Sequence, residues 1–243
     1  MTLDSRSRWL ALLIVCLGDL MIVLDVTIVG VALPSIREDL GFSETSLAWV
    51  VNAYLLTFGG FLLLGGRFGD LFGHRRLFIA GIALFTAASL ACGLATSQAA
   101  LIGARAVQGI GGAVVSAVAL SLIVTLFTEP AERAKAMGVF GFVASGGGSI
   151  GVLLGGILTD TLNWHWIFLV NVPVGIAVVI LSVLLIPAAR IETARRRRGA
   201  HRDRVAGARR LRDRERQRAG LDLRPHARDA RRRGRRHRGL SRA

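Results

Sequence analysis

Asp19, Asp25 and Arg105 are the three charged residues inside long runs of otherwise uncharged, apolar sequence. A charge at the middle of a membrane span costs about 3 kcal/mol on insertion scales, so such residues face a hydrated cavity or pair with one another. Two chemistries follow for these residue types. An acid and a base can neutralise each other and hold a bundle together. A protonatable acid in a poorly hydrated cavity can instead couple proton movement to transport.

The apolar runs set where these groups stand. Six of them, about residues 9–33, 47–64, 77–96, 99–127, 136–158 and 166–186, are close to or above the roughly 20 residues needed to cross the hydrocarbon as a helix. Backbone groups in lipid must be satisfied within their own segment, so each run is expected to be a helix. The expected fold class is all-α: a polytopic membrane protein whose six transmembrane helices form one bundle within residues 1–187. The first run carries two acids and is followed by further spans, which argues against a cleaved signal peptide. Cys16 and Cys92 fall inside spans and read as small packing residues. At 1.5 Å per helical residue, Asp25 lies roughly 12 Å and Arg105 roughly 9 Å below the same face, so they can pair if spans 1 and 4 touch. Asp19 is about 9 Å deeper and about 120° around the helix, so the two acids do not share a stripe.

Charges between the spans alternate. Arg6 and Arg8 precede span 1, Arg67, Arg75 and Arg76 lie between spans 2 and 3, and Arg133 and Lys135 between spans 4 and 5. The connection "PSIREDLGFSET" carries one Arg against three acids, and the other two connections carry neither Lys nor Arg. Cytoplasmic loops are rich in Lys and Arg. The N-terminus and the segment after span 6 are therefore expected in the cytoplasm, in a multi-pass protein of the cell (inner) membrane.

Glycines suggest how the helices approach. Gly147, Gly151 and Gly155 recur every fourth residue, with Gly156 beside them. Small residues at that spacing let two backbones come close in lipid, which serves either tight packing or a pliable helix. Span 4 offers a similar surface in Gly109, Gly112, Ala113 and Ser116. Asn171 and Pro173 sit inside span 6, where proline is expected to kink the helix. Trp164 and Trp166 read as anchors at the outer interface. In "GGRFGDLFGHRRLF", residues 65–78, Gly66, Gly69 and Gly73 are expected to permit a tight hairpin. Asp70 is suited to a helix start or a cation, and Arg75 with Arg76 to the cytoplasmic side.

The part "GRFGDLFGHRRL", residues 66–77, resembles the signature loop between helices 2 and 3 of the major facilitator superfamily. "LDVTIVGVALP" (24–34) resembles the helix 1 signature of its drug:proton antiporters with fourteen spans. "LIGARAVQGIGGA" (101–113) is similar to their helix 4 motif, "GSIGVLLGG" (148–156) to their helix 5 motif and "WHWIFLVNVPVGI" (164–176) to the start of their helix 6. Gly30 stands where the pattern has Asn, Val152 where it has Pro and His165 where it has Arg; the loss of proline weakens any claim of a helix 5 kink. The resemblance implies two six-helix bundles rocking about a central cavity, exchanging protons for an exported drug-like or amphipathic compound. It implies that Asp25 and Arg105 belong to the proton or substrate path, to which Asp19 is added on its own charge. It also implies that Asp70 and Arg75 belong to a cytoplasmic gate made against the second bundle. Spans 1–3 and 4–6 are expected to be inverted repeats.

The net charge of +15 belongs to one end of the chain. Residues 1–187 carry nine Lys/Arg against ten acids, and residues 188–243 carry 22 Arg against six acids. Residues 195–243 contain no Lys, Phe, Ile, Met, Trp, Tyr, Asn or Cys, cannot bury a core, and are expected to be disordered. Three readings compete: binding to anionic lipid head groups, non-specific nucleic-acid binding, or a frameshifted or truncated stretch, because GC-rich coding DNA read out of frame yields this mixture. The last is preferred and nucleic acid is the least favoured.

The expectation is thus the N-terminal half of a proton-coupled exporter. Its partners are a small-molecule substrate, protons, the bilayer, and either a missing second bundle or a second copy that completes the cavity. The alternatives are a six-span protein that homodimerises into a working transporter, or a membrane-anchored basic tether. No metal-ligand cluster, nucleophile constellation or phosphate-cradling loop stands out, so neither an enzyme nor a metal or cofactor is expected.

Overall fold

The structure is a computed structural model and describes residues 5–186. The Arg-rich segment and every expectation placed on it lie outside the described residues. Seven helices follow in order: α1 (Ser5–Leu40), α2 (Glu44–Phe72), α3 (His74–Gly93), α4 (Gln98–Leu126), α5 (Pro130–Thr161), α6 (His165–Leu169) and α7 (Asn171–Leu185). The last two form one span, so six helical stretches among the described residues are long and apolar enough to cross a bilayer.

Local chemistry sets most of the ends. Ser43 opens α2 with a reciprocal cap: its Oγ accepts from the Ser46 amide at 3.2 Å, and Ser46 Oγ accepts from the Ser43 amide at 3.0 Å. Ser97 caps α4 through the Ala100 amide at 3.3 Å. Pro130 begins α5, where its missing donor costs nothing. α1 continues past Leu33 with Pro34 inside it, where the proline has no N–H to give the Gly30 carbonyl. The sixth span is interrupted at Val170, next to Leu169, whose carbonyl would have accepted from the N–H that Pro173 lacks.

The turn between α2 and α3 corrects one expectation. Gly66 and Gly69 lie inside α2, and the chain reverses at Gly73 alone, with φ +92°. One left-handed residue suffices to turn the chain, and glycine takes that conformation without a Cβ clash. Asp70 lies in the last turn of α2 rather than at a helix start.

The packing exchanges partners between the two triplets of spans. α2 lies mainly against α4, and α5 mainly against α1. The middle helix of each triplet thus packs on the first helix of the other, the pattern of an inverted repeat. Both contacts run through glycine. A Cβ at Gly109 or Gly112 would strike Tyr54, and one at Gly147, Gly151 or Gly155 would strike Leu20, Thr27 or Ile28. Gly156 has nothing within 4 Å of a Cβ, so it stands outside this stripe. The stripe serves close packing.

Two apolar clusters fill the interior. One surrounds Met21, Tyr54, Phe78, Phe85 and Phe127, the other Ile28, Phe42, Trp164 and Phe168. Trp164 is only 3% exposed and its indole N–H donates to Asp39 Oδ2 at 2.9 Å, so it is a core residue and not the interfacial anchor expected; Trp166 is exposed. Between the clusters along α1, α3 and α4 lies a layer of polar side chains.

Candidate functional site

That layer is built around Asp25 and Arg105, whose side chains are 0% and 1% exposed. Arg105 Nη1 donates to Asp25 Oδ2 at 2.5 Å and to Gln108 Oε1 at 2.7 Å, and its Nε donates to the Val50 carbonyl at 3.0 Å. Gln108 Nε2 donates to Asp25 Oδ1 and to Ser89 Oγ, each at 2.7 Å. Asn171 Nδ2 adds a bond to Asp25 Oδ1 at 3.2 Å. The guanidinium also lies 4.2 Å above the Tyr54 ring and 5.8 Å from that of Phe168.

This arrangement meets the cost of burying two charges. A sealed ion pair is tolerated when its geometry is good and its remaining lone pairs and protons are hydrogen-bonded. Here the carboxylate accepts from Arg105, Gln108 and Asn171. The guanidinium faces a carboxylate, an amide oxygen, a backbone carbonyl and an aromatic face. The network draws on α1, α2, α3, α4, α6 and α7 and leaves out α5. Gln108, Ser89 and the role of Asn171 were not found from the sequence. Gln108 is three residues from Arg105 on the same helix face, which is the signal that could have found it.

Asp19 stands apart from this network. Its Oδ1 accepts from Ser116 Oγ at 2.9 Å, and it lines an open cavity of about 740 Å3. The walls are largely apolar, with Ile22, Val26, Leu55, Phe58, Leu62 and Phe140 among them. Asp19 is the charged residue among the groups lining it, whereas Asp25 and Arg105 do not line it. The pair therefore meets, as matching depth allowed, yet in a sealed layer and not in the cavity.

The remaining predicted residues fall at the ends of the helices. Arg75 Nη2 donates to the Val183 carbonyl at 2.6 Å, near the end of α7, where an arginine also offsets the helix dipole. Arg76 is exposed, and the side chain of Asp70 is not among those described. At the same end Arg8 pairs with Glu132 at 2.7 Å, joining α1 to α5, and Arg133 Nε caps α4 at the Phe127 carbonyl at 2.9 Å. At the opposite end Gln98 Nε2 donates to the carbonyls of Leu40 and Gly41 at 3.1 and 3.0 Å. Among the described residues no cluster of His, Cys, Asp or Glu has the makings of a metal site.

Two exchanged triplets of spans, a buried polar layer and an open cavity on one flank make up a bundle of the kind found in secondary membrane transporters. The solved proton:xylose symporter XylE has the same fold over 79% of this chain and 48% of its own, with a TM-score of 0.70 at 17% identity. A sequence model of the Major Facilitator Superfamily matches residues 15–234, and the chain belongs to that family. It is 50% identical over 184 residues to the puromycin resistance protein pur8 of Streptomyces alboniger, covering 76% of this chain and 36% of that protein. It is 47% identical over 189 residues to the cephamycin export protein CmcT of Amycolatopsis lactamdurans, covering 78% and 39%. The multidrug resistance protein Stp of Mycobacterium tuberculosis is 42% identical over 192 residues, covering 79% and 36%. The chain thus spans little more than a third of the length of these relatives.

Proposed function

We propose that the described unit is the first six-helix bundle of a proton-coupled exporter of drug-like, amphipathic small molecules in the cell membrane. The observation that carries this reading is a single carboxylate, Asp19, on an otherwise largely apolar open cavity, beside a sealed ion pair that ties the helices together. The names of pur8, CmcT and Stp support export of such compounds.

In this reading Asp19 exchanges a proton with the cavity, and its ionised form favours substrate while its neutral form releases it. The layer around Asp25 and Arg105 holds α1, α3, α4 and the sixth span in register. Any proton arriving at Asp25 would weaken its hold on Arg105 and loosen that register, which is how the pair belongs to the proton path. The cavity needs a facing wall, supplied by a second bundle or by a second copy of this one. Arg6, Arg8, Arg75, Arg76, Arg133 and Lys135 favour a cytoplasmic N-terminus and a cytoplasmic end of the sixth span. At that end Asp70 and Arg75 would meet the facing wall as a gate.

The test is a chimera in which residues 1–186 replace the matching segment of the puromycin resistance protein. Expressed in an efflux-deficient bacterium, it should lower ethidium accumulation, and a protonophore should abolish the difference. A chimera that reaches the membrane and leaves accumulation unchanged in every condition contradicts the reading. Expressing the present chain alone in the same assay distinguishes a second copy from a second bundle as the facing wall.

A further inference from the structure

Residues 5–186 hold two histidines, His74 at the end of the bundle that carries Arg8 and Arg75, and His165 at the opposite end. The half-buried His165 ring stacks on Trp164 with centroids 3.7 Å apart and planes inclined by 30°. Trp164 meets Phe168 edge-on at 6.3 Å, and Phe168, fully buried, lies 5.8 Å from the Arg105 guanidinium. A line of rings thus leads from the end of the bundle to the sealed pair. The same stretch of chain continues to Asn171, which binds Asp25. It has little room to shift, because a Cβ at Gly93 would sit 2.7 Å from the Leu169 side chain and 3.3 Å from the His165 carbonyl.

The charges around His165 favour a cation. The elements packed on α6 are α1, α3, α5 and α7. To this end α1 brings Arg37, Glu38 and Asp39, α5 brings Asp160, and α3 and α7 bring no charge. Arg37 is engaged with Glu44 at 3.4 Å. Asp39 accepts the Trp164 N–H on Oδ2, which leaves Oδ1 for a second donor. His165 Nδ1 is shut from solvent without a hydrogen-bond partner. An imidazole changes charge between about pH 5 and 8, and a cation over the face of a tryptophan is held by the ring. Protonation therefore strengthens the stack on Trp164 from two sides, through the indole face and through the Asp39 carboxylate at its edge.

We propose that His165 is a proton sensor on the outer face, whose charge is passed through Trp164 and Phe168 to the layer around Asp25 and Arg105. The charged ring holds Trp164 against Phe168 and keeps the layer closed. The neutral ring relaxes the stack and lets the layer open. The inference goes beyond the export reading and rests on the orientation proposed with it only for the word outer.

Cys92 reports on the layer, because its thiol is fully buried and donates to Gln108 Oε1 at 3.6 Å. Cys16, buried in the other apolar cluster, is the control. The test measures alkylation of both by N-ethylmaleimide in the full chain in nanodiscs, located by peptide mass spectrometry. Rates are compared between variants at one pH, so that ionisation of the thiol itself cancels. At about pH 5.5, His165→Gln, which cannot become charged, should react at Cys92 about threefold faster than wild type, the worth of an exposed cation–π contact. At about pH 8 the two should react alike. His165→Arg, charged throughout, should match wild type at the lower pH and react about threefold more slowly at the higher. Phe168→Leu cuts the line of rings, so in its background the side chain at 165 should no longer matter. A Cys92 rate indifferent to residue 165, a difference unchanged between the two pH values, or an effect that survives Phe168→Leu would each overturn the proposal. Equal changes at Cys16 and Cys92 would do so as well, since they signal a general loosening. Both faces of a nanodisc meet the same buffer, so a reversed orientation leaves these rates as they are and is told apart from failure of the sensor.

Discussion

Asp25 and Asp19 lie six residues apart on α1 and occupy different environments: Asp25 is sealed against Arg105 at 2.5 Å, and Asp19 borders the open cavity beside Ser116. Six residues turn a helix by about −120°, enough to move a carboxyl from the interior of the bundle to its flank. The same helix therefore supplies one acid to the architecture and a second to the cavity.

Removing half of the sealed pair should cost more than removing all of it. Asp25→Asn leaves Arg105 buried without its counter-charge and should destabilise the bundle by about 3–5 kcal/mol. Asp25→Asn combined with Arg105→Gln should recover a good part of that loss, since no uncompensated charge remains. Thermal unfolding of the purified protein in nanodiscs measures both. Additive losses in the double variant would contradict the account.

Gln108 should matter almost as much as the charges it bridges. Gln108→Leu removes the bonds to Asp25, Arg105 and Ser89 and should cost about 1–3 kcal/mol, the penalty for leaving buried partners unsatisfied. Ser89→Ala removes one bond from the periphery of the network and should cost about 1 kcal/mol or less. The ranking is read from the same unfolding measurement.

These residues also mark how far the sequence could be read. Six continuous apolar stretches announce six helical spans because each is long enough to cross the hydrocarbon as a helix and satisfies its backbone within itself. Depth made Asp25 and Arg105 candidates for a pair, since a charge within an apolar run is conspicuous and its rise along the axis is fixed; the contact of spans 1 and 4 that the pair also needs is visible only in the structure. Gln108, Ser89 and the role of Asn171 escaped because uncharged polar residues are common in membrane helices and acquire a role only through their neighbours. The cavity position of Asp19 escaped as well, because helix rotation separates the two acids without saying which of them faces outward. Composition alone does not separate Gly66 and Gly69, which lie inside α2, from the turn glycine. Of these three glycines, Gly73 is the one with a positive φ.

The glycine stripe of α5 gives a graded prediction. Gly151→Val and Gly155→Val should force α5 from α1, costing about 1–3 kcal/mol as overpacking does. Gly156→Val, with open space around it, should fall within about 0.5 kcal/mol of wild type. Retention of stability by both stripe variants, measured by unfolding in nanodiscs, would rule out the close contact of α1 with α5.

Sidedness is open to direct labelling. Cys16 and Cys92 are buried, so a cysteine introduced at Ser43 or Glu129 supplies the accessible thiol. A membrane-impermeant maleimide added to intact cells should label Ser43→Cys and spare Glu129→Cys until the membrane is opened. The reverse pattern would invert the proposed orientation.

The central claim is that Asp19, and not Asp25, is the carboxyl that the cavity presents. Dicyclohexylcarbodiimide enters apolar sites and converts a protonated carboxyl to a stable N-acylurea, which peptide mass spectrometry locates. The full chain in nanodiscs should be modified at Asp19 first, with the rate falling as pH rises and with Asp25 left intact. Modification of Asp25 at an equal or faster rate would contradict the account.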